Sequence, residues 1–319
     1  LLNLGHNMSV DMYTEQVIGS AKLVIVRLLG GRGYWPYGVE QIAGVARENG
    51  IKVAFLPGDD QPDAELSSFN TLAPDIAHRL WQYTVHGGPE NALGFLGYAA
   101  SLIDYECDWL EPMPLLRAGR YGAADWISGQ PIAAVVFYRA LMQAGNLGAV
   151  DDMIAALMAA GLNPLPVYVA SLKDPIAAAI LAEIFNEFPP AVVLNTTGFA
   201  VSSPNRSLAE GRPATPLDVP GVPVIQAVFS GSSLADWKDG MHGLSARDIA
   251  MNVALPEVDG RIFSRAISFK GSAMRDDLSE TDIVTYEPVA DRIAFTAKLA
   301  ANWARLAKAG VADRHVALI

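Results

Sequence analysis

Three apolar runs, Pro131-Ile-Ala-Ala-Val-Val-Phe-Tyr138, Leu165-Pro-Val-Tyr-Val-Ala170 and Ala191-Val-Val-Leu194, stand at regular spacing in the middle of the chain. Two stretches of helical period separate them. In the first, Val150, Met153, Ile154, Leu157 and Met158 recur at three- and four-residue steps, and Gly161 stands where a left-handed C-terminal cap belongs. In the second, Asp174 is a natural N-cap and Pro175 fills the first helical position. Ile176, Ile180 and Ile184 are then expected to form the buried stripe, and Pro189-Pro190 stops the helix. Strands that are apolar throughout are covered on both faces, and strand–helix alternation joins such strands in parallel. Residues 131–200 therefore predict a doubly wound core of the Rossmann or flavodoxin-like kind.

Toward the N-terminus, a helix is expected over 7–18 and a strand over 21–29. The strand runs into a glycine- and aromatic-rich loop, Gly30-Gly-Arg-Gly-Tyr-Trp-Pro-Tyr-Gly38. A helix over 39–49 and a strand over 51–56 complete a second βαβ unit, whose loop lies at the carboxyl end of a strand, where such sheets bind ligands. Helices over 74–86 and 89–109 follow, then an irregular link over 108–130. Beyond the core come a long Pro-, Ser- and Gly-rich loop over 202–223, a strand over 222–229 and a helix starting at Ser230-Gly-Ser-Ser233. A short helix over 245–251 has the capping-box spacing Ser245 to Asp248. A Pro256-Glu-Val-Asp-Gly260 turn, a strand over 262–269, a polar turn over 270–281 and a last helix over 291–308 close the chain. The expected class is α/β, with two doubly wound lobes, parallel sheets and a helical insertion. The expected divisions are 1–125, 126–290 and 291–319.

Hydrophobic residues make up 51% of the 319 and charged residues 18%, yet no run reaches the roughly 18 apolar residues of a membrane span. The net charge of −11, with no basic stripe, disfavours nucleic-acid binding. Cys107 is the single cysteine, which excludes a disulfide framework and fits a reducing cytoplasm. The chain starts without Met, and Arg314-His-Val-Ala-Leu-Ile319 reads as a strand just beginning, so a piece of a longer protein is expected.

Chemistry has several candidate seats. The 30–38 loop lacks the P-loop pattern, and Pro36 replaces the third glycine of a dinucleotide fingerprint. Tyr34, Trp35 and Tyr37, flanked by Arg27 and Arg32, instead suit a large flat anionic ligand, with aromatic packing as the alternative. Glu257 and Asp259 could accept protons or hold a cation, or could simply sit in an exposed turn. His6, His78, His86, His242 and His315 show no ligand spacing. Tyr138-Arg139 and Asn195-Thr-Thr-Gly198 follow strand ends and face the cleft at that sheet edge, though Asn and Thr there are also ordinary cap residues.

Arg27-Leu-Leu-Gly-Gly-Arg-Gly-Tyr-Trp-Pro-Tyr-Gly38, Leu56-Pro-Gly-Asp-Asp60, Phe137-Tyr-Arg139 with Gln143-Ala-Gly-Asn146, Ser171-Leu-Lys-Asp174, Val192-Val-Leu-Asn-Thr-Thr197, Ala250-Met-Asn-Val-Ala-Leu-Pro-Glu-Val-Asp-Gly-Arg-Ile262 and Ser268-Phe-Lys270 together resemble the large subunit of aerobic cobaltochelatase, CobN. The Pro-Glu-x-Asp-Gly segment is similar in kind to the large subunit of magnesium chelatase. The resemblance covers nearly the whole chain and implies an N-terminal fragment of a longer subunit. It implies Co²⁺ insertion into hydrogenobyrinic acid a,c-diamide in cobalamin biosynthesis. Co²⁺ is then a substrate, while ATP with Mg²⁺ belongs to separate AAA+ and integrin-like partner subunits, with no nucleic acid and no membrane involved. It further implies Glu257 as proton acceptor or metal-delivery group with Asp259 orienting it, and Arg27, Arg32, Tyr34, Trp35 and Tyr37 holding the ring. His6, Arg139 and Asn195 are further candidates. A scaffold region docking the motor subunits, or an independent two-lobe binding protein, are the alternatives, and the fragment alone is expected to be inactive.

Overall fold

The computed structural model describes residues 4–122, 125–202, 214–271, 274–278 and 281–314. The chain divides into two units, Leu1–Leu115 and Leu116–Ile319.

The first unit contains α1 (Asn7–Gln16), β1 (Leu23–Leu28), α2 (Pro36–Asn49), β2 (Lys52–Pro57), α3 (Ala64–Ser67), α4 (Pro74–His86) and α5 (Pro89–Ser101). The two strands pair in parallel, from Leu23 opposite Lys52 to Leu28 opposite Pro57. Both faces of β2 are covered, as its apolar sequence requires. Val53 and Phe55 pack with Val39, Ile42 and Ala46 of α2. Ala54 and Leu56 pack with Leu80 and Tyr83 of α4. Helix α2 ends at Gly50, whose φ of 68° is the left-handed cap that closes the turn into β2. The α/β plan holds here on two strands. Helix α5 ends at Ser101, short of the expected 109.

The second unit runs β3 (Ala118–Arg120), β4 (Ile132–Tyr138), α6 (Arg139–Ala144), α7 (Gly148–Ala159), β5 (Asn163–Val169), α8 (Pro175–Glu187), β6 (Val192–Asn195) and β7 (Val224–Ser230). It continues with α9 (Leu234–Asp239), α10 (Ala246–Ile249), α11 (Leu255–Val258), β8 (Ile262–Lys270), β9 (Met274–Asp276), β10 (Thr281–Ile283), β11 (Tyr286–Pro288) and α12 (Ala290–Lys308). Its seven strands stand in the order β11-β8-β7-β6-β4-β5-β3. The five middle strands are parallel. In chain order they read second, first, third, fourth, fifth from one side, the flavodoxin-like winding. Helices α7 and α12 cover one face through Met153, Leu157, Ile293, Ala297 and Ala300. Helix α8 covers the other through Ala177, Leu181 and Phe185. The core is thus doubly wound, as residues 131–200 predict.

Several details differ from expectation. The 108–130 link contains β3, which pairs antiparallel with β5 from Ala118 opposite Val169 and ties the chain into the second sheet before residue 125. The last helix is part of this unit's core, because Ile293, Ala297, Ala300 and Ala304 are buried against the sheet. The polar turn after Lys270 holds the antiparallel pair β9–β10, and β11 adds an antiparallel edge to β8. Pro256, Glu257 and Val258 are helical and only Asp259-Gly260 forms the turn, with Gly260 at φ 72°. A π-helical stretch, Ala250–Ala254, precedes them, so the widened turn leads directly into the proline that has no N–H for the helical ladder. Residues 203–213 of the expected long loop lie outside the described residues, as do 315–319. Among the described residues no helix is long and apolar enough to cross a membrane.

Candidate functional site

In the second unit, β4 has β5 on one side and β6 on the other, the chain crossing from β5 through α8 to β6, and a crevice opens at the carboxyl ends of β4 and β6. A cavity of about 450 Å³ occupies it. Tyr138 ends β4 and Thr196 and Gly198 follow β6, so the two segments that sequence reasoning aimed at this edge do meet there. The Thr196 amide and hydroxyl both donate to the Val136 carbonyl, at 2.8 and 3.1 Å, which fixes the exit of β6 beside β4.

The rings of Tyr138, Phe199, Phe229 and Tyr286 give the cavity its apolar surface. Phe229 and Tyr286 pack at 5.5 Å between centroids. The wall opposite β6 is the helical run over 246–258. It approaches so closely that a Cβ on Gly198 would lie 2.7 Å from Asn252 Oδ1 and 3.1 Å from the Met251 carbonyl. The Phe199 amide donates to that carbonyl at 2.7 Å. Phe199 has φ +65°, a left-handed conformation that costs a side-chain-bearing residue free energy, and its ring is 47% exposed at the rim.

The polar groups are unevenly placed. Asp248 is buried and lines the cavity with Ser232, Ser245 and Asn252, whereas Arg247 and Lys270 are exposed members of the same lining. Burial pushes the Tyr138 phenol up, against the opposing bond to the Gly198 carbonyl and the charge of Arg261. Burial, with the Asp248 charge second, also pushes Tyr286 up. Both phenols therefore stay protonated, and Tyr138 donates to the Gly198 carbonyl at 3.2 Å.

A buried network braces the floor. Asn195 is fully buried; its Nδ2 donates to the Thr197 carbonyl at 2.9 Å and to Gln226 Oε1 at 2.8 Å. Asp259 accepts from the Val201 amide at 2.7 Å, from the Ser202 amide at 3.1 Å and from the Ser202 hydroxyl. Arg261 Nη2 reaches the same carboxylate at 2.9 Å, and its Nη1 donates to the Thr197 carbonyl at 3.2 Å. Asp259 therefore holds the segment carrying Thr197 to Ser202, while Glu257, two residues earlier, is exposed on α11. The pair is not side by side: one carboxylate lies in the core and the other in solvent. Arg139 opens α6 and donates from Nε to the Leu116 carbonyl at 3.0 Å. Among the described residues no group of three or more His, Cys, Asp or Glu could hold a metal ion.

The expected ring-holding set lies in the first unit, and much of it is occupied by local contacts. Arg32 bonds Glu40 and Glu65, which raise its pKa against the effect of desolvation, and its guanidinium lies 5.6 Å from the Phe69 ring centroid. Trp35 donates to the Leu4 carbonyl at 2.8 Å and packs on the α2 core. Tyr37 donates to Asp11 at 2.7 Å, a bond that raises its pKa. Arg27 is exposed and bonds the Gly58 carbonyl at 2.8 Å; Tyr34, at 77% exposure, projects from the loop, and His6 is exposed before α1. Phe199, Phe229, Tyr286 and Asp248 escaped the sequence reading. The strand over 222–229 concealed Phe229, Phe199 stands just past the strand-end segment Asn195 to Gly198, and the Ser245-to-Asp248 spacing read as a cap alone.

The geometry defines a class: a flavodoxin-like α/β protein with an aromatic-walled cavity at its switch point and a second, smaller α/β unit. A family model described as CobN/Magnesium Chelatase matches residues 81–319. The aerobic cobaltochelatase subunit CobN of Sinorhizobium sp. is 44% identical over 338 residues, covering 100% of this chain and 26% of its own length. The protein of the same description from Pseudomonas aeruginosa is 41% identical over 330 residues, again with 100% and 26% coverage. The solved catalytic subunit of cobaltochelatase from Mycobacterium tuberculosis superposes with a TM-score of 0.76 at 27% identity, covering 95% of this chain and 25% of that one. The chain belongs to the CobN/magnesium chelatase family, and it spans about a quarter of the length of these relatives.

Proposed function

We propose that this chain is the tetrapyrrole-binding part of the large subunit of an ATP-dependent cobaltochelatase, which inserts Co²⁺ into hydrogenobyrinic acid a,c-diamide in the cytoplasm. ATP and Mg²⁺ act on AAA+ and integrin-like partner subunits, and Co²⁺ is substrate. The observation that carries the reading is the aromatic-walled cavity at the switch point of a chain of this family. A flat conjugated ring is matched by the faces of Tyr138, Phe229 and Tyr286, and its carboxylate edge by Arg247 and Lys270 at the opening.

Metal insertion removes the inner N–H proton of the macrocycle and strips water from a borderline cation, work for which carboxylates are suited. Glu257 is assigned as the solvent-side proton acceptor. Asp259 acts through the backbone, holding Val201 and Ser202 and with them the Phe199 rim. Arg139 and Asn195 support the cavity.

The test is an absorbance and fluorescence titration of the protein with hydrogenobyrinic acid a,c-diamide, beside a Phe229→Ala variant. Saturable binding that weakens in the variant is the expected result, and no binding at high micromolar ligand defeats the proposal. Trp35→Ala is a poor probe, because Trp35 belongs to the first unit's packing.

A further inference from the structure

Two carboxylates are buried around the cavity, and the fold treats them differently. Asp259 is neutralised by Arg261. Asp248 is 5% exposed and has no ion pair with any described residue. It is held by hydrogen bonds alone: from the Ser230 hydroxyl at 2.8 Å, the Gly231 amide at 3.1 Å, the Ser245 hydroxyl at 3.1 Å and Asn252 Nδ2 at 3.2 Å. A carboxylate offers about four acceptor sites, which these four donors fill. The Ser232 hydroxyl is a fifth donor at 3.5 Å, the outer limit of a hydrogen bond. Its place in the first turn of the helical run over 246–258 sets the carboxylate where the helix dipole favours negative charge.

A purely structural cap needs no access to a cavity, yet Asp248, Ser232, Ser245 and Asn252 all line this one. We propose that this end of the cavity is a subsite for an uncharged N–H donor, a primary carboxamide carried on a flat apolar ligand, and that Asp248 rejects a carboxylate in the same place. An amide N–H replaces the loosely bound Ser232 hydroxyl on Asp248, and the freed hydroxyl turns to donate to the amide oxygen. A carboxylate meets the uncompensated charge of Asp248 at close range. A cationic amine is disfavoured in turn by Arg247 and Lys270 in the same lining. The subsite rests on the tetrapyrrole reading for its ligand and on the chemistry of these residues for its selectivity.

The experiment titrates hydrogenobyrinic acid a,c-diamide and the unamidated hydrogenobyrinic acid into the protein and its Asp248→Asn and Ser232→Ala variants. Thermal unfolding of each without ligand checks the fold. The wild type is expected to prefer the diamide by at least about tenfold, since like charges brought together are costly. Asp248→Asn is expected to erase that preference, and Ser232→Ala to keep it. A wild type that binds both ligands within twofold overturns the subsite while leaving the tetrapyrrole reading intact. So does an Asp248→Asn variant that weakens both ligands equally, the mark of a structural role. If Asp248→Asn does not fold, the wild-type preference alone decides. Absence of binding for both ligands overturns the broader reading first.

Discussion

Asp259 and Arg261 are the residues whose removal should be felt most, because their side chains are 0% and 1% exposed. Burial lowers the pKa of Arg261, and the charge of Asp259 and its hydrogen bond oppose that shift. Taking one away strands a buried charge. Asp259→Ala should therefore destabilise the second unit by roughly 3–5 kcal/mol in urea unfolding. The double variant Asp259→Val, Arg261→Met should recover part of that loss, because a well-packed apolar pair does not carry the desolvation cost of two ions. A double variant less stable than Asp259→Ala would mean that Arg261 acts mainly through its bonds to the Thr197 carbonyl and Gln226. Glu257 makes the opposite prediction. It is exposed, so Glu257→Gln should leave stability within about 0.5 kcal/mol, and any loss of insertion rate would then be chemical.

At the scale of the element, two helix starts can be tested. Trp35 lies across Gly38, and a Cβ on Gly38 would fall 2.0 Å from Trp35 Cε2. Gly38→Ala should therefore cost about 1–3 kcal/mol by overpacking, against the usual gain for alanine in a helix, and should change Trp35 fluorescence. Helix α8 starts on Asp174, whose Oδ1 accepts from the Ile176 and Ala177 amides and whose Oδ2 pairs with Arg117 at 2.7 Å. Partial burial would raise this carboxyl, but the Arg117 bond and the two amides outweigh it and hold it below the ordinary carboxylate range. A depressed folded pKa gives stability above the unfolded value that is lost as pH falls through the folded one. Asp174→Ala should thus cost about 1 kcal/mol at pH 7, and the gap to wild type should close below about pH 4. The bounds of α8 were legible because cap and stop agree within a few residues, but its buried face was not: Ala177, Leu181 and Phe185 are buried, one position on from the expected Ile176, Ile180 and Ile184, and Ile176 is 57% exposed. Strands β4, β5 and β6 were legible as apolar runs between two covered faces, although Asn195 at the end of β6, and Gln226 and Ser268 in its neighbours, are buried polar residues. Strands β3 and β11 are three residues each at the sheet edges and carry no such pattern. The Pro-Glu-Val-Asp-Gly segment misled for a local reason: its proline and glycine read as a turn, while the preceding π-helical stretch carries the helix on through Val258. At the cavity, Tyr138 and Asn195 to Gly198 followed from the rule for strand ends, but Phe229 and Asp248 reach it through tertiary placement that no spacing announces.

For the whole molecule, the division at Leu115 and Leu116 separates two sets of packed side chains, each with its own strands and helices. All residues lining the cavity, from Tyr138 to Tyr286, belong to the second unit, as do the Asn195 and Asp259 braces beneath it. The second unit also has a core on each face of its sheet, closed by α12 on one side and α8 on the other. A protein of residues 116–319 is therefore expected to fold alone, with a single cooperative urea transition, and to bind hydrogenobyrinic acid a,c-diamide with an affinity within about tenfold of the whole chain, or about 1.4 kcal/mol. Residues 1–115 should fold without binding it to the same degree. A folded second unit whose affinity falls by a hundredfold or more would move a large share of recognition to the first unit. Tyr34→Ala and Arg27→Ala in the whole chain would then be expected to reproduce the loss. If they did not, the ligand would be held by backbone or by residues of the first unit other than the aromatic loop, and that loop would be read as packing around Trp35.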